Sequence, residues 1–552
     1  MKDRRLLRLA GSICLLVALF VMASCGAPAP APSPTPAPTP APAPAPVPAP
    51  VPAPTPTPAP APAPTTYKPA GELIIAFHYS NPPKYFDPKN NGTSAAPWRV
   101  AYAIHDALIK PMVGDPQALS LAESWSLSPD ALDYKFKLRK GVKFHNGDTL
   151  TAKDVKFSFE RFSGIYSNDL HEKVERVEIM DDYTINFHLA KPWPDFMDIY
   201  TGLRTSGASW ILPKDYLERV GDEEFLLNPV GCGPYKFVEQ DPSGITFEAF
   251  EDFWRKVPHV KTLKFLAITE GSTRLAALIA GEVDIATNLT GALFDKAITD
   301  PNIDLLSVSS TSTHYLYPAA QHDSGSPWSD IRVRKAASFA LDRPAMRDVN
   351  QPGGKIPGTI LPEEIPGTIK REYDPYDPER AKELLAEAGY SNGFDAGILI
   401  SDKVRATPMD IIATYWKNVG IDVEVRILER AAFNAGLIDN AYGGQVLMTG
   451  AGAPILAARL AGALTETVYG HYADIDALWE NLDSEFKPVK RQAIMTEVQE
   501  LIADKYMYIP IYQLVTPTGV GPRVKYPALE TPMVHWASPY EDLELNPGAG
   551  AR

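Results

Sequence analysis

A tract with proline at every even position, from Ala27 to Pro64, most constrains what this chain can fold into. Proline lacks a backbone N–H and fixes φ, so the tract cannot build a helix or a sheet ladder and is expected to stay extended as polyproline II. At about 3.1 Å per residue it would reach roughly 120 Å when fully extended. A stiff stalk and a linker without defined geometry are both compatible with this composition. We therefore expect the folded part to follow the tract, from about Gly71.

The segment before the tract has the layout of a secretory signal. Basic residues precede an apolar run from Leu9 to Met22, which is shorter than the roughly 20 residues of a membrane-spanning helix. The run leads into Ala-Ser-Cys at Cys25 and resembles a bacterial lipobox, with Met22 where leucine is usual. We predict a signal peptide over residues 1–24 and a lipid anchor on Cys25, with a stalk over residues 25–66. The protein would sit at the extracytoplasmic face of the cell membrane, in the periplasm or cell-wall space; a simple secreted protein is the alternative.

Charge and cysteine content exclude several classes of protein. The formal net charge is −14, and a chain so acidic has no electrostatic footprint for nucleic acid. Of the three cysteines, Cys14 would leave with the signal and Cys25 would be acylated. The remaining thiol, Cys232, can form neither a disulfide nor a cysteine zinc site, and we interpret it as a small buried apolar residue.

The stretch from Ala122 to Phe162 carries the clearest local pattern. Apolar and cationic residues alternate from Tyr134 and continue to Phe144, which predicts two half-buried strands. Asn146-Gly147 then predicts a tight turn. Thr151, with Asp154 three residues later, has the pattern of a capping box, so a helix should begin there. By itself this unit is a packing motif.

As a pattern of letters, the same stretch resembles the signature of the family 5 extracellular solute-binding proteins, which serve peptide, nickel and related ABC importers. The signature is matched by Ser124, Trp125, Tyr134, Phe136, Leu138, Arg139, Gly141, Val142, Phe144, Gly147, Thr151, Ala152, Asp154 and Val155, with Ala131 as a departure from the usual glycine. Further blocks of the family follow in order, so that the resemblance covers about Gly71 to Asn546: Phe86-Asp87-Pro88, NPVGCGPYKF from Asn228, GEVD from Gly281, and SDIRVRKAASFALDRPAM from Ser329.

The resemblance implies an α/β fold of the periplasmic-binding-protein type, in which two lobes close over a ligand cleft by hinge motion. We expect lobe I to consist of residues 71–92 with 208–312 and 511–546, with an extra subdomain over 93–207, and lobe II to span 313–510. The implied function is that of an extracytoplasmic solute-binding component of an ABC importer. It would act as a monomer without a cofactor, and deliver peptide-like or related small solutes to a permease whose ATPase is a separate protein.

The resemblance also marks candidate ligand-binding residues. Trp193 lies in a turn that family members place near the mouth of the cleft, and a core position is the alternative for it. His314 and Tyr315 lie where the chain is expected to cross between the lobes for a second time. Gly450 and Gly452 lie in the segment that corresponds to a ligand-binding block of the oligopeptide-binding relatives.

That block resembles G-W-x-x-D-Y-x-x-P in the relatives, and its aspartate pairs with the α-ammonium of the peptide. If Pro454 marks the register, Gly450 stands in place of the aspartate and Leu447 in place of the tryptophan. An ammonium without a counter-charge would lose several kcal/mol of hydration in a closed cleft. We therefore expect either another carboxylate or a ligand without that charge, and the glycines would suit a bulkier or less polar solute; a slipped alignment is the alternative.

Motifs of catalysis do not favour an enzyme. His171-Glu172 does not continue into H-E-x-x-H, and neither G-x-S-x-G nor a Walker loop occurs. No sequence motif indicates a metal site. Two further classes remain open: a binding protein that reports its ligand to a membrane receptor, and an anchored adhesive or structural protein, which repeats outside the proline tract would have favoured. The sequence does not identify the solute, because one fold can carry many sites.

Overall fold

A computed structural model of the chain describes the folded part in segments. The described residues are 67–79, 82–90, 95–110, 118–164, 166–202, 207–363, 365–403, 408–429, 432–433, 436, 441–444, 446–451, 460, 470–525 and 539–546. All of them lie in the unit that spans residues 55–552. The predicted signal and stalk with Cys25, and also Gly452 and Pro454, lie outside the described residues.

The strands of the described residues form one large sheet, one smaller sheet and a short two-stranded pair. In chain order the strands are β1 (Ala70–Phe77), β2 (Ala122–Leu127), β3 (Asp133–Leu138), β4 (Val174–Asp181), β5 (Thr184–Leu189), β6 (Tyr235–Asp241), β7 (Gly244–Ala249), β8 (Val260–Ala267), β9 (Ile285–Ala286), β10 (Asp304–Pro318), β11 (Phe394–Asp402), β12 (Ile421–Leu428), β13 (Val446–Ala451), β14 (Ile509–Val520), β15 (Val524–Lys525) and β16 (Glu544–Leu545).

The large sheet has ten strands in the order β12-β11-β13-β10-β14-β9-β1-β8-β7-β6. Each half contains parallel pairs: β1 runs parallel to β8 and β9, and β11 runs parallel to β12 and β13. In the middle, β10 runs antiparallel to both β13 and β14. Parallel pairs need crossover connections, which helices supply here. This mixed sheet confirms the expected α/β class.

The helices begin and end at residues that the sequence marks clearly. In chain order they are α1 (Ala95–Ile104), α2 (Ala152–Arg161), α3 (Ser167–Lys173), α4 (Phe196–Tyr200), α5 (Lys214–Val220), α6 (Asp222–Leu227), α7 (Gly271–Ile279), α8 (Ala292–Ile298), α9 (Ile331–Phe339), α10 (Arg343–Asn350), α11 (Pro378–Glu387), α12 (Met409–Lys417), α13 (Ala473–Ser484) and α14 (Pro488–Asp504). Side chains of Asp330, Asp342 and Asp377 cap α9, α10 and α11 by accepting bonds from backbone N–H groups. Gly389 and Gly420 follow α11 and α12 with φ of 93° and 97°, a conformation that favours glycine.

The signature stretch forms part of a four-stranded sheet, β2-β3-β5-β4. The prediction of a strand through Tyr134 is confirmed, and Thr151 and Asp154 form the predicted capping box of α2. The second predicted strand, toward Phe144, is wrong: it is reduced to an isolated bridge between Lys143 and Thr149, because the chain already turns back there. Val142 and Phe144 are nevertheless buried in the core of this sheet.

Two buried residues, Cys232 and Asp284, have very different surroundings. Cys232 is a free, fully buried cysteine, as predicted, and burial raises the pKa of its thiol well above the ordinary value. The carboxylate of Asp284, in the GEVD block, accepts the backbone N–H of Ile74 in β1 at 2.8 Å and pairs with Arg523 at 2.9 Å. It therefore joins β1 to the segment that follows β14.

Candidate ligand cleft

The parallel strands in one half of the large sheet end beside the crossing strand β14. β9 ends at Ala286, which pairs with Gly519 of β14. Just beyond it, the N–H of Leu289 donates to the carbonyl oxygen of Pro517 at 2.9 Å. β1 lies next to β9 and runs in the same direction, ending at Phe77. The carboxyl ends of this half therefore point toward the middle of β14.

The strand ends of the other half reach the same place from the opposite side. β13 ends at Ala451, which pairs with Thr313 of β10, and Thr313 in turn pairs with Gln513 of β14. Ligands of open α/β sheets bind outside the carboxyl ends of the strands. The convergence of both sets of ends on one short stretch of β10 and β14 thus defines the candidate cleft.

The two crossing strands are irregular at this stretch. The pairing of β10 with β14 shifts register between Ser309 and Thr313, and again between His314 and Tyr315. Such irregularities interrupt the ladder and bend the strand locally. A bend in both strands that connect the halves of the sheet is where a hinge would lie.

The structure brings His314 and Gly450 together, as two of the predicted ligand-binding residues. Their backbones pair across β10 and β13, and on its other side His314 pairs with Tyr512 of β14. The His314 side chain is 6% exposed and its ring lies 5.6 Å from that of Tyr512. Tyr315 faces a different core, where its ring packs edge-on to Tyr508 at 5.0 Å.

Trp193 lies elsewhere, in the core of the four-stranded sheet. It is 4% exposed, and the Nζ atom of Lys173 lies over its ring, 4.4 Å from the ring centre. The hydroxyl of Tyr134 donates to its backbone oxygen at 3.5 Å. This position agrees with the core alternative, and ligand binding by Trp193 stays a prediction, as it does for His314, Tyr315, Gly450 and Gly452.

Sequence reasoning missed the polar residues that follow the ends of β1 and β9. His78 comes directly after β1, and its Nδ1 lies 3.4 Å from the hydroxyl of Thr287, which follows β9. Burial lowers the pKa of His78 to about 3, assisted by the positive charges of Arg99 and Arg274. The imidazole is therefore neutral at neutral pH and can act as a hydrogen-bonding group. The position of His78 directly after a predicted strand is the sequence feature that could have indicated a place at the cleft.

In the other half of the large sheet, β11 ends at a carboxylate. Ser401 and Asp402 close β11, and both are fully buried. Asp402 pairs with Leu428, the last residue of the parallel strand β12. On the crossing strand, the hydroxyl of Thr313 is buried and has no hydrogen-bond partner among the described residues. This end of the sheet thus contains both a carboxyl and a hydroxyl group.

A separate cavity lies inside the range 313–510. Its lining includes Thr359, Arg343, Asp374, Gln499 and Tyr506. These groups are largely bonded to protein atoms, as when the hydroxyl of Tyr506 donates to Asp374 at 2.9 Å. We assign no ligand to it.

Neither a metal centre nor a membrane span is found in the described part of the chain. No three His, Cys, Asp or Glu side chains there are grouped so that they could hold a metal ion. Among the described helices, none is long and apolar enough to cross a bilayer.

The topology is that of a two-lobed, periplasmic-binding-protein-like fold. The solved structure of HbpA2 from Haemophilus parasuis matches this chain with a TM-score of 0.74. The match covers 86% of this chain and 100% of that one, at 23% sequence identity. The expected fold is thereby confirmed.

The family model for bacterial extracellular solute-binding proteins, family 5 Middle, matches residues 118–457, which is more than half of the chain. The chain belongs to family 5 of the bacterial extracellular solute-binding proteins. Its role is that of the extracytoplasmic binding component of an ABC importer, as predicted.

Two curated relatives show how far sequence similarity extends. Heme-binding protein A of Haemophilus influenzae is 29% identical over 461 residues, which cover 74% of this chain and 80% of that protein. The dipeptide-binding protein of Escherichia coli is 30% identical over 360 residues, which cover 58% of this chain and 65% of that protein, slightly less than two thirds. The two relatives are named for chemically different solutes.

Proposed function

We propose that this protein captures a peptide-like or related small solute in the cleft at the crossing of β10 and β14, and delivers it to an ABC permease. The observation that carries the proposal is the convergence of strand ends from both halves of the sheet on the bent stretch around Thr313 and Gln513. Residues 71–92, 208–312 and 511–546 would move as lobe I against lobe II, residues 313–510. The protein would bind without catalysis, as a monomer.

A stability measurement tests solute capture. A solute that binds only the native state, at 100 times its Kd, stabilises the fold by about 2.7 kcal/mol. The melting temperature should therefore rise clearly with the right solute, and small-angle scattering should show a more compact chain. Tight binding without compaction would contradict the hinged mechanism. Mass spectrometry of molecules that copurify with the protein gives the first candidates to test.

The charge of the cleft bears on the class of solute. Gly450 carries no charge, so a peptide ammonium would need another carboxylate, and Asp402 at the end of β11 is the described candidate. We infer that the solute is not held through a free amino terminus in the manner of the oligopeptide-binding relatives. Calorimetry with a peptide library and its N-acetylated counterparts decides this. Micromolar binding that disappears on acetylation, and on Asp402→Asn, would assign the ammonium to Asp402 and overturn the inference.

The anchor requires its own experiment. We propose that Cys25 is lipidated and that residues 27–64 hold the lobes away from the membrane. Labelled fatty acid should enter the wild-type protein in a bacterial host and should not enter Cys25→Ser. Equal labelling of both would remove the anchor, and with it the reason for a stalk. Permease and ATPase genes beside this one would favour import over the alternative of a receptor-coupled sensor.

A further inference from the structure

An ion pair joins two parts of the chain that hinge motion would separate. Arg491 in α14 pairs through Nη2 with Oδ1 of Asp195, at the start of α4. The two residues are 296 positions apart, and they lie in the ranges predicted as lobe II and as the subdomain of lobe I. Their side chains are only 13% and 18% exposed.

Both partners are held firmly by their own side of the molecule. The guanidinium of Arg491 also donates through Nη1 to the carbonyl oxygen of Leu482, in α13, at 2.6 Å. This second bond fixes the direction in which the long side chain points. The other terminal nitrogen of the guanidinium, Nη2, is the one that pairs with Asp195.

The carboxylate side is equally well supported. The turn that carries Asp195 is closed by a bond from the N–H of Phe196 to the oxygen of Trp193 at 3.2 Å. Phe196 is fully buried, and its ring lies 4.6 Å from that of Tyr134 in β3. Because neither partner can follow the other far, a rotation of one lobe would break the pair.

A second carboxylate lies close to Asp195. Asp198 lies one turn further along α4, and its pKa is raised to about 6 by burial and by the negative charge of Asp195, against the attraction of Arg491. Two carboxylates held beside one another are mutually repulsive unless a cation lies close to them. The positive charge of Arg491 reduces this repulsion.

We propose that Asp195 and Arg491 form an interlobe clasp that gives the closed form of the protein a measurable minor population before a solute is bound. The clasp rests on the hinge closure proposed above, but it requires no knowledge of the solute. Loss of one partner should lower the ratio of closed to open molecules about tenfold, a size typical of coupling between sites. Solute contacts themselves would be unchanged.

Distances between spin labels measure this ratio directly, without a solute. The labels are placed at Glu172→Cys in α3 and Glu480→Cys in α13, both exposed positions on the two sides. The full chain is used with Cys14 and Cys25 replaced by serine, since Cys232 is buried and protected from labelling. We expect a short-distance fraction in the wild-type background and its loss in Asp195→Asn and in Arg491→Gln.

The charge-swapped double variant Asp195→Arg/Arg491→Asp separates a clasp from a local packing effect, because it should restore much of the short distance. Asp504→Asn is the matched control, since it removes an ion pair from the same helix, with Arg371, that stays within lobe II. Melting temperatures show that each variant is folded.

The absence of a short-distance fraction in the solute-free wild-type background would overturn the clasp. So would single variants with unchanged distances, or a double variant no more closed than the singles. If the distances support the clasp but no solute stabilises the protein, the clasp is supported and the proposed function is contradicted.

Discussion

Two regions of the molecule bury positive charge in different ways. In the block from Ile331 to Arg343, the guanidinium groups of the two buried arginines are bonded to backbone carbonyl groups. Arg343 donates to the carbonyl oxygens of Pro510, Ser338 and Asp374 at 2.7 to 3.2 Å, and to the hydroxyl of Ser338. Arg334, on α9, likewise donates to the carbonyl oxygens of Trp328, Ser329 and Lys505.

The segment that closes the fold, residues 539–546, uses carboxylates instead. Glu541 is fully buried, with Oε1 at 2.6 Å from Arg255 and 3.7 Å from the buried amine of Lys110. These two cations hold the pKa of Glu541 below its ordinary value in spite of burial. Arg255 also pairs with Asp542 at 3.1 Å.

The difference determines how each region should respond to pH and to substitution. A carbonyl group does not titrate, so a cation bonded to carbonyl oxygens keeps its partners at every ordinary pH. A carboxylate loses its charge in acid, and its partner is then left buried without compensation. Carbonyl-bonded arginines also tie together chain segments that are far apart in sequence, here α10 with β14.

The largest effect is expected when a carbonyl-bonded arginine is removed. Arg343→Met keeps much of the volume but leaves several buried carbonyl groups without donors, and should cost about 4 kcal/mol of unfolding free energy. Burial lowers the pKa of Arg343 only to about 10, so the loss should be constant between pH 5 and 8. Urea unfolding measures it. Arg332→Met, at a side chain that is 44% exposed, is the control and should cost far less.

Removal of the buried carboxylate should cost somewhat less. Glu541→Gln leaves Lys110 buried and weakens the hold on Arg255, for a loss of about 3 kcal/mol at pH 7. Since the folded pKa of Glu541 is lowered, the stabilisation is complete above about 4.5 and is lost as the pH falls through the folded value. The difference between wild type and variant should therefore shrink in acid, while that of Arg343→Met does not. A difference that does not change with pH would contradict the contrast between the two regions. The control is Glu544→Gln, because the ion pair of Glu544 with Lys525 is partly exposed.

Two histidines, His105 fully buried and His145 partly buried, should add a further acid sensitivity. The Nε2 atom of His145 donates to the oxygen of Gly233 at 3.0 Å, and its Nδ1 accepts the N–H of Gly231. Burial lowers the pKa of His145 to about 3, and that of the neighbouring His105 to about 4. Both rings are neutral in the folded state.

Below pH 6.5 the unfolded chain therefore binds protons that the folded chain does not, and stability falls as the pH falls toward the folded values. At pH 5 we expect a loss of about 2 kcal/mol for each ring. Between pH 7 and pH 5, the unfolding free energy of His145→Gln should therefore fall by about 2 kcal/mol less than that of the wild type. This difference does not depend on what the substitution costs at pH 7. An unchanged slope would show that the ring does not titrate on unfolding.

The sequence predicted the parts of the fold that depend on local order. The alternation at Tyr134 and the capping box at Thr151 each depend on residues within a few positions of one another, and the structure confirms them. The family motif predicted the fold but not the role of its arginines. The bonds of Arg343 run to Pro510, 167 positions away, and no local pattern indicates such a partner.

The candidate site was harder to predict for the same reason. Periodicity marks where a strand ends, but only the strand order of the sheet shows which ends meet. His314 was selected through the expected crossing, and its pairing with Gly450 was not foreseen. Asp402, His78 and Thr287 were missed, because each is an ordinary polar residue after a strand until the topology brings them to one edge.

The smallest effect is expected at the clasp, where a carboxylate is shared between parts that move. In the closed form burial and Asp195 raise the pKa of Asp198 to about 6, with Arg491 opposing the shift. The neighbouring Tyr134 stays neutral, since burial raises its pKa to about 12. In an open form Asp198 would face water, with an ordinary pKa near 4.

Closure should therefore take up a proton between about pH 4 and 6, and the closed form should gain as the pH falls from 7.5 to 5.5. We expect a gain of less than about 1 kcal/mol, because the carboxylate keeps some contact with solvent. The spin-label distances at the two pH values measure it, and Asp198→Asn should show the closed population without the pH dependence. A wild-type ratio that is the same at both pH values would mean that Asp198 is equally buried in the open form. The clasp would then resemble the closing segment, whose charges stay in place, rather than a contact that forms and breaks.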